Sequence, residues 1–241
     1  MSKRLLLISN STQHGSGYLD HCEAEINDFL ARSNVKRVLF VPYARPSGIT
    51  HDEYTAMTRQ RFERIGFGLD SIHEQQQTPW IPVHEAEAIF IGGGNTFVLL
   101  SELYGCNVME MIRSKVRDGL PYIGASAGSN VAFPTIKTTN DMPIVEVPSL
   151  NALGLIGTFQ LNPHYIDPDP NSTHKGETRE TRIREYLKFN HIPVLGLREG
   201  AMLRLEGERL QLKGINGAKL FEMEKEPRDF KSGDSLDFLL Q

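Results

Sequence analysis

The chain has 241 residues, 39% of them hydrophobic and 23% charged, with a formal net charge of −4. That is an ordinary globular composition, enough for one large domain over residues 1–241. No Lys/Arg cluster is dense enough to argue for nucleic acid or anionic lipid as a partner.

The opening apolar run, Leu5-Leu6-Leu7-Ile8, is too short for a secretory segment, and no run approaches the ~18 residues of a membrane span. Two cysteines, Cys22 and Cys106, stand far apart, which suits a reducing compartment and predicts a cytoplasmic protein.

Residues 5–8 read as a buried strand and 19–30 as a helix. Residues 37–41 read as a second strand, ended by Pro42. Residues 52–65 carry Tyr54, Met57, Phe62 and Ile65 near helical spacing, with acids in the first turn. A weak strand follows at 68–72 and a strong one at 88–91, which runs into Gly92-Gly93-Gly94-Asn95. Residues 96–103 and 107–116 read as helices, the second stopped by Gly119. Pro121-Tyr122-Ile123 is a strand, and Asn130-Val131-Ala132-Phe133 can begin a helix. Residues 136–175 are irregular and rich in Pro and Asn, and 177–187 return to helix. Runs at 201–205, 209–212 and 219–221, after a strand at 194–197, predict an antiparallel meander added to the sheet. The alternation implies an α/β fold with a mostly parallel sheet flanked by helices and a C-terminal antiparallel extension.

The pentapeptide Gly124-Ala125-Ser126-Ala127-Gly128, between strand and helix, has the form of a nucleophile elbow. A serine hydroxyl needs a base, and of eight histidines His164 stands out, in Asn162-Pro163-His164-Tyr165 after a short extended run. The acid that orients the imidazole has two candidates at turns, Glu199 and Asp141, and the sequence does not choose between them. Gly92-Gly93-Gly94-Asn95 fails the dinucleotide fingerprint, because Phe97 stands where the last glycine belongs, and it lacks a Walker Gly-Lys-Ser/Thr. Its simpler use is an oxyanion hole, with Gly93 and Gly94 N–H groups joined by that of Ala127. The charged run from His174 to Arg182 reads as a solvated helix face, and its nearness in sequence to His164 allows a second use, in which Arg179 pairs with a substrate carboxylate; Asn95 is a further substrate-binding candidate. No H-E-x-x-H, C-x-x-C or i,i+4 histidine pair occurs, so no metal or organic cofactor is expected. Cys106 has no elbow and reads as a small buried residue.

Six segments in this order together resemble peptidase E, the α-aspartyl dipeptidases. They are Leu7-Ile8-Ser9-Asn10-Ser11-Thr12, Ile91-Gly92-Gly93-Gly94-Asn95-Thr96-Phe97, Ile123-Gly124-Ala125-Ser126-Ala127-Gly128-Ser129-Asn130, the run from Pro134 to Val145, Asn162-Pro163-His164, and the run from His174 to Arg179. The resemblance implies a glutamine-amidotransferase-like fold and cleavage of dipeptides bearing an N-terminal aspartate. It implies Ser126 as nucleophile, His164 as base, Glu199 or Asp141 as the acid, and Arg179 as the reader of the aspartyl side chain. Lys175 and Arg182 are next in line for that last role. Ala125 and Ser129 depart from the bacterial members without touching the chemistry. Cyanophycinase-like β-aspartyl peptidases share the elbow and remain the alternative enzyme, with a non-catalytic ligand-binding relative of the fold as the alternative outside enzymes. The protein is expected as a monomer or homodimer, with no nucleic-acid or membrane partner.

Overall fold

Short aliphatic runs build the central sheet. β1 (Arg4–Ile8), β2 (Arg37–Val41), β3 (Gly68–Ser71), β4 (Ile89–Ile91) and β5 (Tyr122–Ala125) lie parallel in the order β3-β2-β4-β5-β1. Their side chains alternate between two cores. Leu5, Leu7, Leu39, Val41, Ile89 and Ile91 join one; Leu6, Ile8, Val38, Phe40 and Phe90 join the other. A strand buried on both faces needs an apolar residue at nearly every position, which is why these runs are continuous. The structure, a computed structural model, describes every residue except Met1, Gln76, Pro170, Ser172, His174 and Lys175.

Helices close both faces. α1 (Glu23–Ala31) and α2 (His51–Arg64) cover the second core with Ile26, Phe29, Tyr54 and Phe62. α3 (Trp80–Glu85), α4 (Thr96–Gly105) and α5 (Met109–Arg117) cover the first with Val83, Leu99, Leu103, Ile112 and Val116. α2 starts at a capping box, in which Thr50 accepts from Glu53 N–H and the Glu53 carboxylate accepts from Thr50 N–H. Among the described residues, no helix is long and apolar enough to cross a membrane.

After β5 come a one-turn helix, α6 (Ala127–Asn130), then β6 (Gln160–Tyr165), α7 (Arg179–Phe189) and β7 (Val194–Arg198). β8 (Ala201–Glu206) and β9 (Arg209–Gly214) form a hairpin that extends the first sheet beyond β1. β10 (Ala218–Phe221) and β11 (Arg228–Phe230) do not join it. They form a second sheet, in the order β11-β10-β7-β6, with β6 and β7 parallel. The expected meander is therefore split between two sheets. β10 covers an edge of β7 that would otherwise expose unpaired N–H and C=O groups.

Three further expectations need correction. Residues 130–133 do not begin a long helix: carbonyls of Val131, Ala132, Phe133 and Pro134 accept instead from Leu153, Leu155, Gly154 and Ala152 N–H groups. The helix expected over 19–30 is broken, because Leu19 has φ 60° and a 3₁₀ turn, Asp20–Cys22, precedes α1. The helix expected from 107 starts at Met109, since Asn107 has φ 52°.

Candidate active site

Ser126 sits where β5 hands over to α6, at φ 53° and ψ −109°. A non-glycine residue held there costs about 1–3 kcal/mol and persists only when its surroundings over-determine it. Here they do. Ser126 N–H donates to the Ile8 carbonyl (2.9 Å), and its own carbonyl accepts from Ser129 and Asn130 N–H groups. Ser129 Oγ lies within hydrogen-bond distance of the Ile8 and Gly124 carbonyls, tying the elbow to β1. A Cβ on Gly128 would run into the Ile91 carbonyl, so only glycine lets the turn close on β4.

His164 comes from the other sheet. The sequence suggests a loop position after an extended run; in the structure it lies inside β6, at φ 54°, where the pairing with β7 shifts register between Pro163 and Tyr165. Its N–H donates to Ser9 Oγ (2.9 Å), and Ser9 Oγ–H donates to the Leu197 carbonyl (2.8 Å). Ser9 N–H also donates to the Ala201 carbonyl. One buried serine after β1 thus holds β6, β7 and β8 together where the sheets meet.

The imidazole bridges two partners. Its Nδ1 lies 2.7 Å from Glu199 Oε1 and its Nε2 lies 2.8 Å from Ser126 Oγ. A carboxylate can only accept, so Nδ1–H donates to Glu199 and Nε2 is left to accept the Ser126 hydroxyl proton. The β7–β8 turn that bears Glu199 is held by its neighbours. Gly200 N–H donates to Asn10 Oδ1 (2.7 Å), and Asn216 Nδ2 donates to the Glu199 carbonyl.

Asp141 does not reach this line. Its Oδ2 accepts from Thr96 N–H (2.8 Å), and Thr96 and Thr139 hydroxyls lie at 2.5 and 3.1 Å. The charge of Asp141 caps the start of α4, where an acid is favoured. Of the two acids the sequence left open, Glu199 is the one at the histidine. Asp141 instead faces Arg179, at the first residue of α7. Burial pushes the Arg179 guanidinium below its ordinary value, Arg182 adds to the shift, and Asp141 opposes it. Arg179 forms no ion pair among the described residues, whereas Arg182 pairs with Glu177 at 3.6 Å. Lys175 and His174 lie outside the described residues.

The glycine turn after β4 departs from expectation at two points. Gly93 N–H donates to Tyr54 Oη (3.1 Å), so it is already committed. Gly94 N–H, and Ala127 N–H in the first turn of α6, carry the remaining donors. Asn95 is committed too. Its Oδ1 caps α4 through Phe97 and Val98 N–H groups, and its Nδ2 donates to the Met142 carbonyl.

Ser126, His164, Glu199, Gly93, Gly94, Asp141 and Arg179 line one cleft of about 480 Å³, together with Ser11, Arg45, Thr96 and Thr139. Arg45 lines the cleft, and Ser9, Asn10 and Tyr54 bond its backbone; none of the four was assigned from the sequence. A polar run, Ser9-Asn10-Ser11-Thr12, at the carboxyl end of a buried strand was the available signal, because sites gather there in such sheets. Cys106 is half-buried against the first core and does not line the cleft. Among the described residues, no three His, Cys, Asp or Glu side chains cluster as a metal site would require.

A serine, a histidine and a carboxylate in one hydrogen-bonded line, beside free backbone N–H groups, is the arrangement that serine hydrolases use. Residues 5–213 match peptidase family S51, and the chain belongs to that family. Peptidase E of Streptomyces coelicolor is 52% identical over 236 residues, covering 98% of this chain and 94% of its own. A Drosophila melanogaster protein named "Probable alpha-aspartyl dipeptidase" is 46% identical over 241 residues, covering 100% and 98%. The crystal structure of a peptidase from an acI-B1 Actinobacterium has the same fold, with a TM-score of 0.74 at 17% identity, over 98% of this chain and 97% of that one.

Proposed function

We propose that the protein is a serine dipeptidase that releases aspartate from Asp-X dipeptides. The observation that carries this reading is that an acid, Asp141, and an arginine without an ion pair among the described residues, Arg179, line the cleft that holds Ser126, His164 and Glu199. An N-terminal aspartate carries an ammonium and a β-carboxylate close together, and the cleft offers one opposite charge to each. Asp141 has Oδ1 left for the ammonium, its Oδ2 being held by Thr96 and Thr139. Arg179 offers a planar fork to the β-carboxylate. The names of the relatives in Streptomyces and Drosophila support the same substrate class.

In the reaction, His164 Nε2 takes the Ser126 proton as Oγ attacks the aspartyl carbonyl. Glu199 holds the ring in the required tautomer and stabilises the imidazolium. Gly94 and Ala127 N–H groups receive the oxyanion. His164 gives its proton to the leaving amine, which frees residue X. Water, deprotonated by His164, then hydrolyses the aspartyl ester on Ser126. We read residues 1–241 as one domain, because Leu161, Leu195 and Leu197 of the second sheet share a core with Leu5 and Leu7 of the first. The free cysteines Cys22 and Cys106 support a cytoplasmic setting.

The test is a comparison of Asp-Leu with Asn-Leu on the wild type, Arg179→Ala and Arg179→Lys. A site built around a buried polar partner discriminates by up to about 10⁴. The wild type should therefore favour Asp-Leu strongly, and both variants should lose most of that preference while the slow Asn-Leu rate barely moves. If Arg179→Ala lowers both substrates by one factor, the arginine is structural and the reading of the aspartyl side chain is wrong.

A further inference from the structure

A second arginine lines the same cleft without an ionic partner. Arg45, in the loop between β2 and α2, forms no ion pair among the described residues, and its Nε is buried with no hydrogen-bond acceptor. Packing fixes its placement. The guanidinium lies over the Tyr54 ring, 4.9 Å from the centroid, and Tyr54 Oη in turn accepts from Gly93 N–H. Ala44, the preceding residue, accepts from Asn95 N–H through its carbonyl (2.7 Å). That same carbonyl abuts Gly94, where φ is 149° and a Cβ would collide with it. Arg45 is thus fixed beside the glycine turn that carries the oxyanion donors. A positive charge stacked on an aromatic face, turned to a cleft and left unpaired is set up for an anion.

We propose that Arg45 binds the terminal carboxylate of residue X and so restricts the enzyme to dipeptides. This rests on the Asp-X reading above and extends it to the leaving side of the scissile bond. An Asp-X dipeptide carries one ammonium and two carboxylates. The cleft carries one acid with a free oxygen, Asp141 Oδ1, and two arginines without an ion pair among the described residues, Arg179 and Arg45, because Glu199 is spent on His164. The charges match one to one. In a dipeptide the terminal carboxylate lies one residue beyond the scissile carbonyl, a span of roughly 3.3–3.6 Å along an extended chain. A reader of that carboxylate must therefore stand beside the oxyanion turn, which is where Ala44 and Tyr54 hold Arg45. A longer peptide would present a neutral amide there and leave the guanidinium unpaired.

The experiment compares Asp-Leu with its C-terminal amide, Asp-Leu-NH₂, on the wild type, Arg45→Gln and Arg45→Lys. Hydrogen bonds to charged groups are worth enough that the wild type should favour the free carboxylate by about 10- to 100-fold in kcat/KM. Arg45→Gln should bring Asp-Leu down to the level of the amide, mainly through KM, and leave the amide unchanged. Arg45→Lys keeps the charge and should recover part of the preference. Equal loss on both substrates in Arg45→Gln, or a wild type that cleaves both equally, overturns the role of Arg45 and leaves the Asp-X reading standing. A wild type that cleaves neither substrate overturns both.

Discussion

Among the described residues, two places hold a serine, a histidine and a carboxylate in a hydrogen-bonded line. One is Ser126, His164 and Glu199. The other is Ser71, His73 and Asp52, with Ser71 Oγ 2.6 Å from His73 Nδ1 and His73 Nε2 2.9 Å from Asp52 Oδ1. The residue types and distances are nearly the same, but the surroundings are not. Ser71 is 2% exposed at the edge strand β3, and its hydroxyl also meets Thr55 Oγ1 at 3.1 Å and the Phe40 carbonyl at 3.4 Å. No substrate carbonyl can approach it. Ser126 sits on a strained turn at the wall of a cleft, with backbone N–H groups beside it and Arg179 and Arg45 within the same cavity. Access, strain and oxyanion donors separate a nucleophile from a structural hydroxyl; the hydrogen-bonded line alone does not.

The sharpest way to break that contrast is to remove each hydroxyl. Ser126→Ala should keep the fold and lose turnover by several powers of ten, since removing a triad nucleophile costs about 10⁶ in a protease of another fold. Ser71→Ala should leave kcat within about two-fold and lower stability by about 1–3 kcal/mol, the cost of unsatisfied buried partners at His73 and Thr55. Circular dichroism melts and Asp-Leu hydrolysis read both. Comparable losses of activity in the two variants would erase the distinction.

The acids sharpen it further. Glu199→Gln should lower kcat by at least about 10² with little change in KM, because it acts on the imidazolium of the transition state. Asp141→Asn should raise KM instead, through a weaker contact to the substrate ammonium. A reversed pattern in steady-state kinetics would move the histidine's partner to Asp141. Asp52→Asn is the smallest change. The Asp52 side chain is 91% exposed, and a pair so open to water is worth little, so activity should hold and stability should shift by no more than about 1 kcal/mol.

Much of the candidate site was legible because its local chemistry is written in adjacent residues. The glycines around Ser126 announce the elbow, since the backbone contact that Gly128 makes with Ile91 tolerates no side chain. The parallel sheet was legible from continuous apolar runs such as Leu5–Ile8. Which acid stands at the histidine was not, because Glu199 and Asp141 both sit in polar turns, and only the pairing of β6 with β7 brings one of them to His164. Nor did the sequence disclose that Gly93 N–H and Asn95 Nδ2 are already committed. Their partners, Tyr54 and Met142, stand 39 and 47 positions away in the chain. The split of the C-terminal strands between two sheets was hidden for the same reason: strand order is a property of pairing, which short runs such as Ala218–Phe221 do not encode.

The central claim is that Ser126 is the nucleophile, and covalent labelling tests it most directly. The folded enzyme is treated with a small serine-reactive fluorophosphonate, with and without excess Asp-Leu, and the modified peptide is located by mass spectrometry. One adduct is expected, on Ser126, formed in step with the loss of activity and slowed by Asp-Leu, with none on the buried Ser71. Full inactivation with Ser126 unmodified, or an adduct on Ser71 that tracks the loss, would contradict it.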